Sequence, residues 1–312
     1  MKYSHSSVMP EEVIEYLNIN PRGVYIDCTL GGAGHSRLIL EKSSPEGRLL
    51  AMDRDELAIE NVKTVLFEFK NRYTVSRANF SSIKQVMIEK KINKADGILA
   101  DIGVSSHHLD EAKRGFSFTK EGPLDMRMDQ NSDQTAYDII NNYSTEQLFL
   151  VFKKYGEEKF ASRIANRIEI KRKIKPIKTT TELAEIIKNS IPNKFSRKSK
   201  IHPATKCFMA IRIEVNNELY HLEKFLEEAP YLLKPKGRLC ILTFHSLEDR
   251  IVKNKFKELE KACICPPDLP MCVCGKKKEF KIITRKPLIP TDIEISTNPR
   301  ARSTKMRVLE KL

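Results

Sequence analysis

Val24-Tyr25-Ile26-Asp27-Cys28-Thr29-Leu30-Gly31-Gly32-Ala33-Gly34-His35 decides how the rest of the chain is read. Val24 to Ile26 form a short β-branched and aromatic run, which predicts a buried strand. Gly31, Gly32 and Gly34 allow a sharp turn and close backbone approach to a ligand. Ser36-Arg37-Leu38-Ile39-Leu40 then resumes with helix-like apolar content. A strand, a glycine turn and a helix start bind nucleotide-like groups, because free N–H groups point into the turn. A structural glycine turn in an α/β sheet is the plainer alternative.

The pattern is D-x-T-x-G-G-x-G, not G-x-G-x-x-G, with an acid four residues before the first glycine. A second strand, Arg48-Leu49-Leu50-Ala51-Met52-Asp53, ends in another acid 19 residues after Gly34. An acid at that spacing can accept both ribose hydroxyls of an adenosine-type cofactor. These residues alone leave NAD and S-adenosylmethionine open.

Further along, Tyr73-Thr74-Val75-Ser76-Arg77 and Gly97-Ile98-Leu99-Ala100-Asp101 read as a third and fourth strand, with helices between them. Leu57, Val62, Val65, Leu66 and Phe69 form the expected inner stripe of the helix after Asp53. Alternating strands and helices predict a doubly wound parallel sheet whose ligand lies at the carboxyl ends of the strands. Asp27, Asp53, Phe80 and Asp101 all fall at such ends.

The alternation stops over residues 110–205. Arg114 to Phe118 and Gly122 to Met128 read as an ordered functional loop, with an interdomain hinge as the alternative. Ser144-Thr145-Glu146-Gln147 and Thr179-Thr180-Thr181-Glu182 are capping-box starts of helices. The α/β pattern returns with Arg238-Leu239-Cys240-Ile241-Leu242-Thr243-Phe244, and Ser246-Leu247-Glu248-Asp249 is expected to cap the helix after it. Phe280 to Thr284 and Lys305 to Leu309 are candidates for two last strands.

The 312 residues predict about two domains and allow a sizeable core. Lys and Arg total 55 against 41 acids, a net charge of +14 that suggests a polyanionic partner, nucleic acid first. Most of that surplus is local: between Arg163 and Lys206 there are 13 Lys or Arg and 3 Glu. Lys171-Arg172-Lys173-Ile174-Lys175 and Arg197-Lys198-Ser199-Lys200 are its dense points. A solvated helix face usually alternates in sign, so phosphate contact is the favoured reading.

The first seven residues carry no apolar signal core, and no apolar run approaches about 18 residues, so no membrane span is expected. Seven cysteines, three of them (Cys28, Cys207, Cys240) in apolar patterns, fit a reduced cytoplasmic setting. Cys263, Cys265, Cys272 and Cys274 flank a Pro-rich turn. Their C-x-C spacing is tighter than the usual zinc pattern, so no metal is assigned and a metal-free loop or a redox-sensitive pair is preferred.

Laid out together, these stretches resemble the MraW family of bacterial small-subunit ribosomal RNA methyltransferases nearly end to end. The matching residues include His5-Ser6-Ser7-Val8, Tyr25-Ile26-Asp27, Gly31 to Ser36, Met52-Asp53-Arg54-Asp55 and Asp101-Ile102-Gly103-Val104-Ser105-Ser106. They continue through Arg114 to Phe118, Gly122 to Met128, His202-Pro203-Ala204-Thr205, Phe244 to Arg250 and Asn298 to Ser303. Each is weak alone; in this order they are specific.

The resemblance implies an α/β fold of the class I S-adenosylmethionine-dependent methyltransferase type, a Rossmann-like doubly wound sheet with an inserted small helical domain. The expected division is residues 1–110 and 207–312 for the methyltransferase domain and 111–206 for the basic insertion. The implied reaction is methyl transfer from S-adenosyl-L-methionine to N4 of one cytidine in 16S rRNA of the small ribosomal subunit (30S). The implied cofactor contacts are Ala33, Gly34, His35, Asp53, Phe80, Asp101 and His108. Of these, Asp53 is assigned to the ribose hydroxyls and Phe80 to the adenine.

Methyl transfer requires in-line approach, so positioning is much of the catalysis. Asp101 and His245, at the ends of the fourth and fifth strands, are the candidate catalytic residues. The alternative for Asp101 is a cofactor contact; for His245 it is local bonding at a helix start. Two other classes compete with this reading. A nicotinamide-dependent dehydrogenase is disfavoured by the missing G-x-G-x-x-G and the basic insertion. A non-catalytic RNA-binding assembly factor is disfavoured by the intact acids.

Overall fold

The computed structural model describes residues 7–104, 109–196, 201–263, 265–266 and 273–312. They form two compact units, Met1–Gly103 with Leu219–Leu312, and Val104–Glu218.

The first unit is built on seven strands in the order β3-β2-β1-β4-β5-β7-β6. These are β1 (Val24–Asp27), β2 (Arg48–Asp53), β3 (Tyr73–Arg77), β4 (Ala95–Ile102), β5 (Leu233–Thr243), β6 (Phe280–Ile282) and β7 (Lys305–Lys311). The first five are mutually parallel, and β7 runs antiparallel to both β5 and β6. This is the class I methyltransferase arrangement. The chain leaves β1 toward β2 on one side and meets β4 on the other, so the order reverses between β1 and β4. Open α/β sheets bind ligands beyond the strand ends at such a reversal.

Alternation along the strands explains why both sheet faces are covered. Tyr25, Leu49, Ala51, Cys240 and Leu242 pack on one side with Val13, Leu17, Ile39, Leu40 and Val62. Ile26, Leu50, Met52, Leu239 and Ile241 pack on the other with Phe225, Leu226, Val252 and Phe256. A parallel sheet buried on both faces needs such near-continuous apolar strands.

Helix Glu56–Val65 corrects one expected stripe. Asp55 caps it by accepting from Leu57 N–H, and that phase turns Ala58 and Val62 inward. Leu57 is left on the surface.

The second unit is helical. Helices Ala136–Asn142, Thr145–Lys154, Ala161–Arg172, Thr180–Lys188 and Thr205–Asn216 enclose a core that includes Leu148, Phe152, Ile164, Ile168, Leu183, Ile187, Phe208 and Ile211. Helix Thr205–Asn216 belongs here because Cys207, Phe208, Ile211 and Val215 point into this core. The boundaries therefore fall at Gly103/Val104 and Glu218/Leu219 rather than at 110/111 and 206/207. Ser144 and Gln147 make the reciprocal capping box that the sequence indicates. Thr179 caps its helix through Glu182 N–H, while the Glu182 carboxylate turns to Lys178 N–H.

The Arg114 and Gly122–Met128 stretches are walls of this unit. Arg114 is buried and donates to the carbonyls of Arg127 and Met128. Asn216 accepts from Met128 N–H and donates to Met126 O, both at 2.8 Å. Leu124, Met126 and Met128 lie in the helical core. Among the described residues, no helix is long and apolar enough to cross a membrane.

Candidate functional site

The glycine turn sits on the tip of β1 and is braced from three sides. Asp27 is buried; its Oδ1 accepts from Thr29 N–H at 3.1 Å and its Oδ2 from the Ser36 hydroxyl at 2.7 Å. Thr29 Oγ1 accepts from Asp101 N–H at 2.7 Å, tying the β1 tip to the β4 tip. Asp53, at the end of β2, accepts from Gly31 N–H at 2.8 Å through Oδ2 and from Asp55 N–H at 2.9 Å through Oδ1.

Two glycines stand at the tight points of this geometry. Gly31 adopts φ +47 with nothing nearer its missing Cβ than Thr29 O at 3.9 Å, so the turn is strained for other residues and open above. A Cβ on Gly34 would meet Ser7 Oγ at 2.1 Å. Ala33, between them, also has a left-handed backbone (φ 63) and is buried as the residue preceding helix Gly34–Lys42.

His35 is buried on the first turn of that helix, its Nε2 3.7 Å from Asp101 Oδ2. Asp101 Oδ1 has no hydrogen-bond partner among the described residues. Burial, then the nearby Asp27 and Glu248 charges, push the Asp101 carboxyl up to about 7. Burial is also the main cause that raises Asp27 to about 6, with the Ser36 and Thr29 hydrogen bonds opposing it. The strand tips thus carry two carboxyls that gain or lose a proton near neutrality and one, Asp53, fixed by backbone amides.

Phe80 begins a short 3-10 turn three residues past β3. Its ring is locked edge-on against Phe225 (centroids 5.5 Å apart) and His221 (6.5 Å). His221 Nδ1 in turn meets Ser81 Oγ at 2.9 Å. Burial and the Arg54 charge lower the affinity of His221 for a second proton. Sequence reading singled out neither His221 nor Phe225. Both come from a helix more than 130 residues downstream of Phe80, and no local pattern marks such a meeting.

His245 stands one residue before helix Ser246–Glu260 and is its N-cap, a role that the sequence suggested for Ser246. Its Nδ1 accepts from Glu248 N–H at 3.5 Å, and the Glu248 carboxylate in turn accepts from His245 N–H at 3.2 Å and from Phe244 N–H at 2.8 Å. Its Nε2 lies 3.1 Å from the buried Glu248 Oε1, out of hydrogen-bonding alignment. His108, Ser105 and Ser106 lie outside the described residues, as do His5, Ser6, Arg197, Lys198, Ser199, Lys200 and Cys272.

In the second unit, helix Ala161–Arg172 separates its faces cleanly. Ile164, Ala165 and Ile168 are buried. Arg163, Asn166, Arg167 and Ile170 line the outer face, and with Lys159, Phe160, Asn189 and Ser190 they border a groove of about 620 Å³. Phe160 packs at 5.2 Å against the exposed Phe195. The dense Lys171-Arg172-Lys173 point is less available than its composition suggests. Arg172 is held by Glu169 and donates to Ile140 O, and Lys173 pairs with Glu169 at 3.2 Å.

The cluster at the strand tips fits an adenosine-bearing sulfonium cofactor. Asp53 is held in place at the tip of β2 by two backbone bonds, the Gly31 turn is open, and among the described residues Asp101 Oδ1 is buried and unsatisfied.

Comparison with known proteins agrees in length as well as motif. The profile of the MraW methylase family matches residues 2–312. Ribosomal RNA small subunit methyltransferase H of Clostridioides difficile (strain 630) is 51% identical over 312 residues, covering 100% of both chains. The protein of the same name from Clostridium botulinum (strain Loch Maree / Type A3) is 53% identical over 312 residues, again 100% of both. That from Syntrophus aciditrophicus (strain SB) is 49% identical, covering 100% of this chain and 99% of its own.

Proposed function

This chain belongs to the MraW methylase family, and on that premise we propose that it transfers the methyl group of S-adenosyl-L-methionine to N4 of a cytidine in 16S rRNA. The observation that carries the reading is the set of acids at neighbouring strand tips around an open glycine turn. Full-length relatives named for the small-subunit RNA support the substrate class. The choice of N4 is supported by the motif resemblance and by the chemistry below.

When bound, the cofactor supplies an electrophilic methyl on a sulfonium. The chain's own residues do the rest by holding. Asp53, fixed by Gly31 N–H and Asp55 N–H, is assigned to the ribose diol as its carboxylate acceptor. Phe80, wedged by Phe225 and His221, offers a rigid apolar wall for adenine. Ala33, Gly34 and His35 are assigned to the methionine side of the cofactor and Asp101 to its charged end or to the target amine.

The N4 lone pair of cytosine is delocalised into its ring, so the amine needs an acceptor for its N–H and a fixed in-line approach. Among the described residues, Asp101 Oδ1 is a buried acceptor without a partner at the tip of β4. After transfer, the surplus proton passes to water. A paired target base must leave its stack to reach such a site.

The outer face of helix Ala161–Arg172 is proposed as RNA contact. Its cations would grip phosphates and Phe160 and Phe195 would offer stacking surface. The test is methyl transfer to 30S particles and to free 16S rRNA, followed by nucleoside mass spectrometry. One N4-methylated cytidine per RNA, absent with Asp53→Ala, is expected. Methylation at another atom or base would end the N4 reading, and no transfer to either substrate would end the reading as a whole.

A further inference from the structure

Beyond the end of helix Ser246–Glu260, on the way to β6, three thiols converge at the surface. Cys263, Cys265 and Cys274 place their Sγ atoms within 4.8 Å of one another. The Sγ atoms of Cys263 and Cys274 are 3.7 Å apart. Cys265 N–H donates to Cys263 Sγ at 3.3 Å, and Val273 N–H donates to Cys265 Sγ at 3.4 Å. We propose that these three cysteines supply three thiolate ligands to a zinc ion, with solvent completing its tetrahedron.

The distances carry the argument first. Tetrahedral zinc with Zn–S bonds of about 2.3 Å holds its sulfurs about 3.8 Å apart. A disulfide would bring a pair to about 2.05 Å. The Cys263–Cys274 separation matches the first spacing and not the second. Backbone N–H groups aimed at sulfur favour thiolate over thiol and orient its lone pairs, which is how the surroundings of a thiolate site tune its metal.

The contrast within the chain is informative. Cys28, Cys207 and Cys240 are buried, and burial pushes their thiols up, to about 12 for Cys240. They are packing residues. The cluster is instead at or near the surface, where a metal can reach it.

The local structure also has a use for a cross-link. Cys263 and Val273 are exposed, and the stretch 273–279 contains no helix or strand. Such a segment has little apolar burial to offset the entropy of ordering it, and a metal clip closes it. Soft thiolate donors select zinc among common divalent ions. On loading, three S–H bonds are replaced by three Zn–S bonds and three protons pass to solvent. Cys272 lies outside the described residues and is not part of the site as argued.

Full-length protein, purified under reducing conditions without chelators, should contain about one zinc per chain by mass spectrometry. A thiol-modifying reagent should release it. Cys263→Ser and Cys274→Ser should lower the zinc content at least tenfold while S-adenosylmethionine affinity, the check on folding, stays within twofold. Cobalt titration of wild type should give thiolate-to-metal charge-transfer bands that the variants lack. Three results would overturn the proposal: no metal after reconstitution with zinc, wild-type zinc content in both variants, or a Cys263–Cys274 disulfide in place of the metal.

Discussion

The two units use charge in opposite ways. In the first, Asp27, Asp53 and Asp101 are pinned by Thr29, Ser36, Gly31 and Asp55, and two of the three are raised toward neutrality by burial. In the second, Arg163 and Arg167 stand out along one face of helix Ala161–Arg172 over an apolar underside, with Lys159 in the turn before it. Buried, oriented carboxylates are costly to hold and recognise one ligand geometry. Exposed cations cost little, act additively and are screened by salt. The first arrangement suits a small cofactor and a reaction; the second suits a long polyanion with little sequence information.

The sharpest way to break that contrast is at Asp53. Asp53→Ala removes the acceptor for a ribose diol and leaves Gly31 N–H and Asp55 N–H without their carboxylate. S-adenosylmethionine affinity should fall by about 100-fold, the order expected for losing charge-assisted hydrogen bonds in a fixed site. Calorimetry measures it. Wild-type affinity would remove Asp53 from the cofactor site.

Asp101 tests whether its burial is held at a cost. Its carboxyl sits at about 7, above the ordinary carboxylate range. The folded state therefore binds this proton more tightly than the unfolded chain. That contribution to stability is complete below the ordinary range and is lost as pH rises through about 7. Asp101→Asn carries no such loss. Urea unfolding should find the variant gaining on wild type as pH goes from 5 to 8, by on the order of 2 kcal/mol. Wild-type methyl transfer should rise over the same pH range, as Asp101 ionises to the acceptor form, and Asp101→Asn should transfer less than wild type at pH 8. An equal stability difference at both pH values would show that Asp101 is ordinarily solvated.

How much of this contrast was legible in sequence depends on the range of the interaction. The strand tips were, because an apolar run ending in an acid is a local pattern: Asp27, Asp53 and Asp101 each close one. The capping box at Ser144 is local too. What escaped depends on distant meetings or on helical phase. Phe80 is wedged by Phe225 and His221, Thr29 binds Asp101 N–H, and Asn216 pins the Met126–Met128 backbone. Composition marked the insertion as basic but could not separate Arg172, tied to Glu169 and Ile140, from Arg163 and Arg167 on the groove. The cysteine spacing looked too tight for a metal, and no local pattern showed that three of the sulfurs would lie within 4.8 Å of one another.

The basic face supplies the intermediate effect. Replacing Lys159, Arg163 and Arg167 by Gln should weaken 16S rRNA binding by about tenfold at moderate salt and flatten its dependence on salt. S-adenosylmethionine affinity should not change. Filter binding across a salt series distinguishes the outcomes, and an unchanged slope would remove this face from the RNA contact. Arg172→Gln is the comparison: it should lower the stability of the helical unit more than it lowers RNA affinity, because its guanidinium is already committed to Glu169 and Ile140 O.

His245 lies two residues past β5 in the first unit, and its ring already has a structural use. Its ring closes a capping box with Glu248, so its backbone and side chain both serve the start of helix Ser246–Glu260. Asn is a strong N-cap, and a cap replaced by Ala costs about 1 kcal/mol. His245→Asn should therefore retain most of the stability that His245→Ala loses. If capping is its whole role, methyl transfer at saturating cofactor should follow the same order, Asn near wild type and Ala lower only as far as the helix start loosens. A stable His245→Asn protein with transfer reduced a hundredfold would instead make the imidazole a participant in the reaction. The smallest stability effect in the series thus decides whether the first unit's chemistry rests on its carboxylates alone.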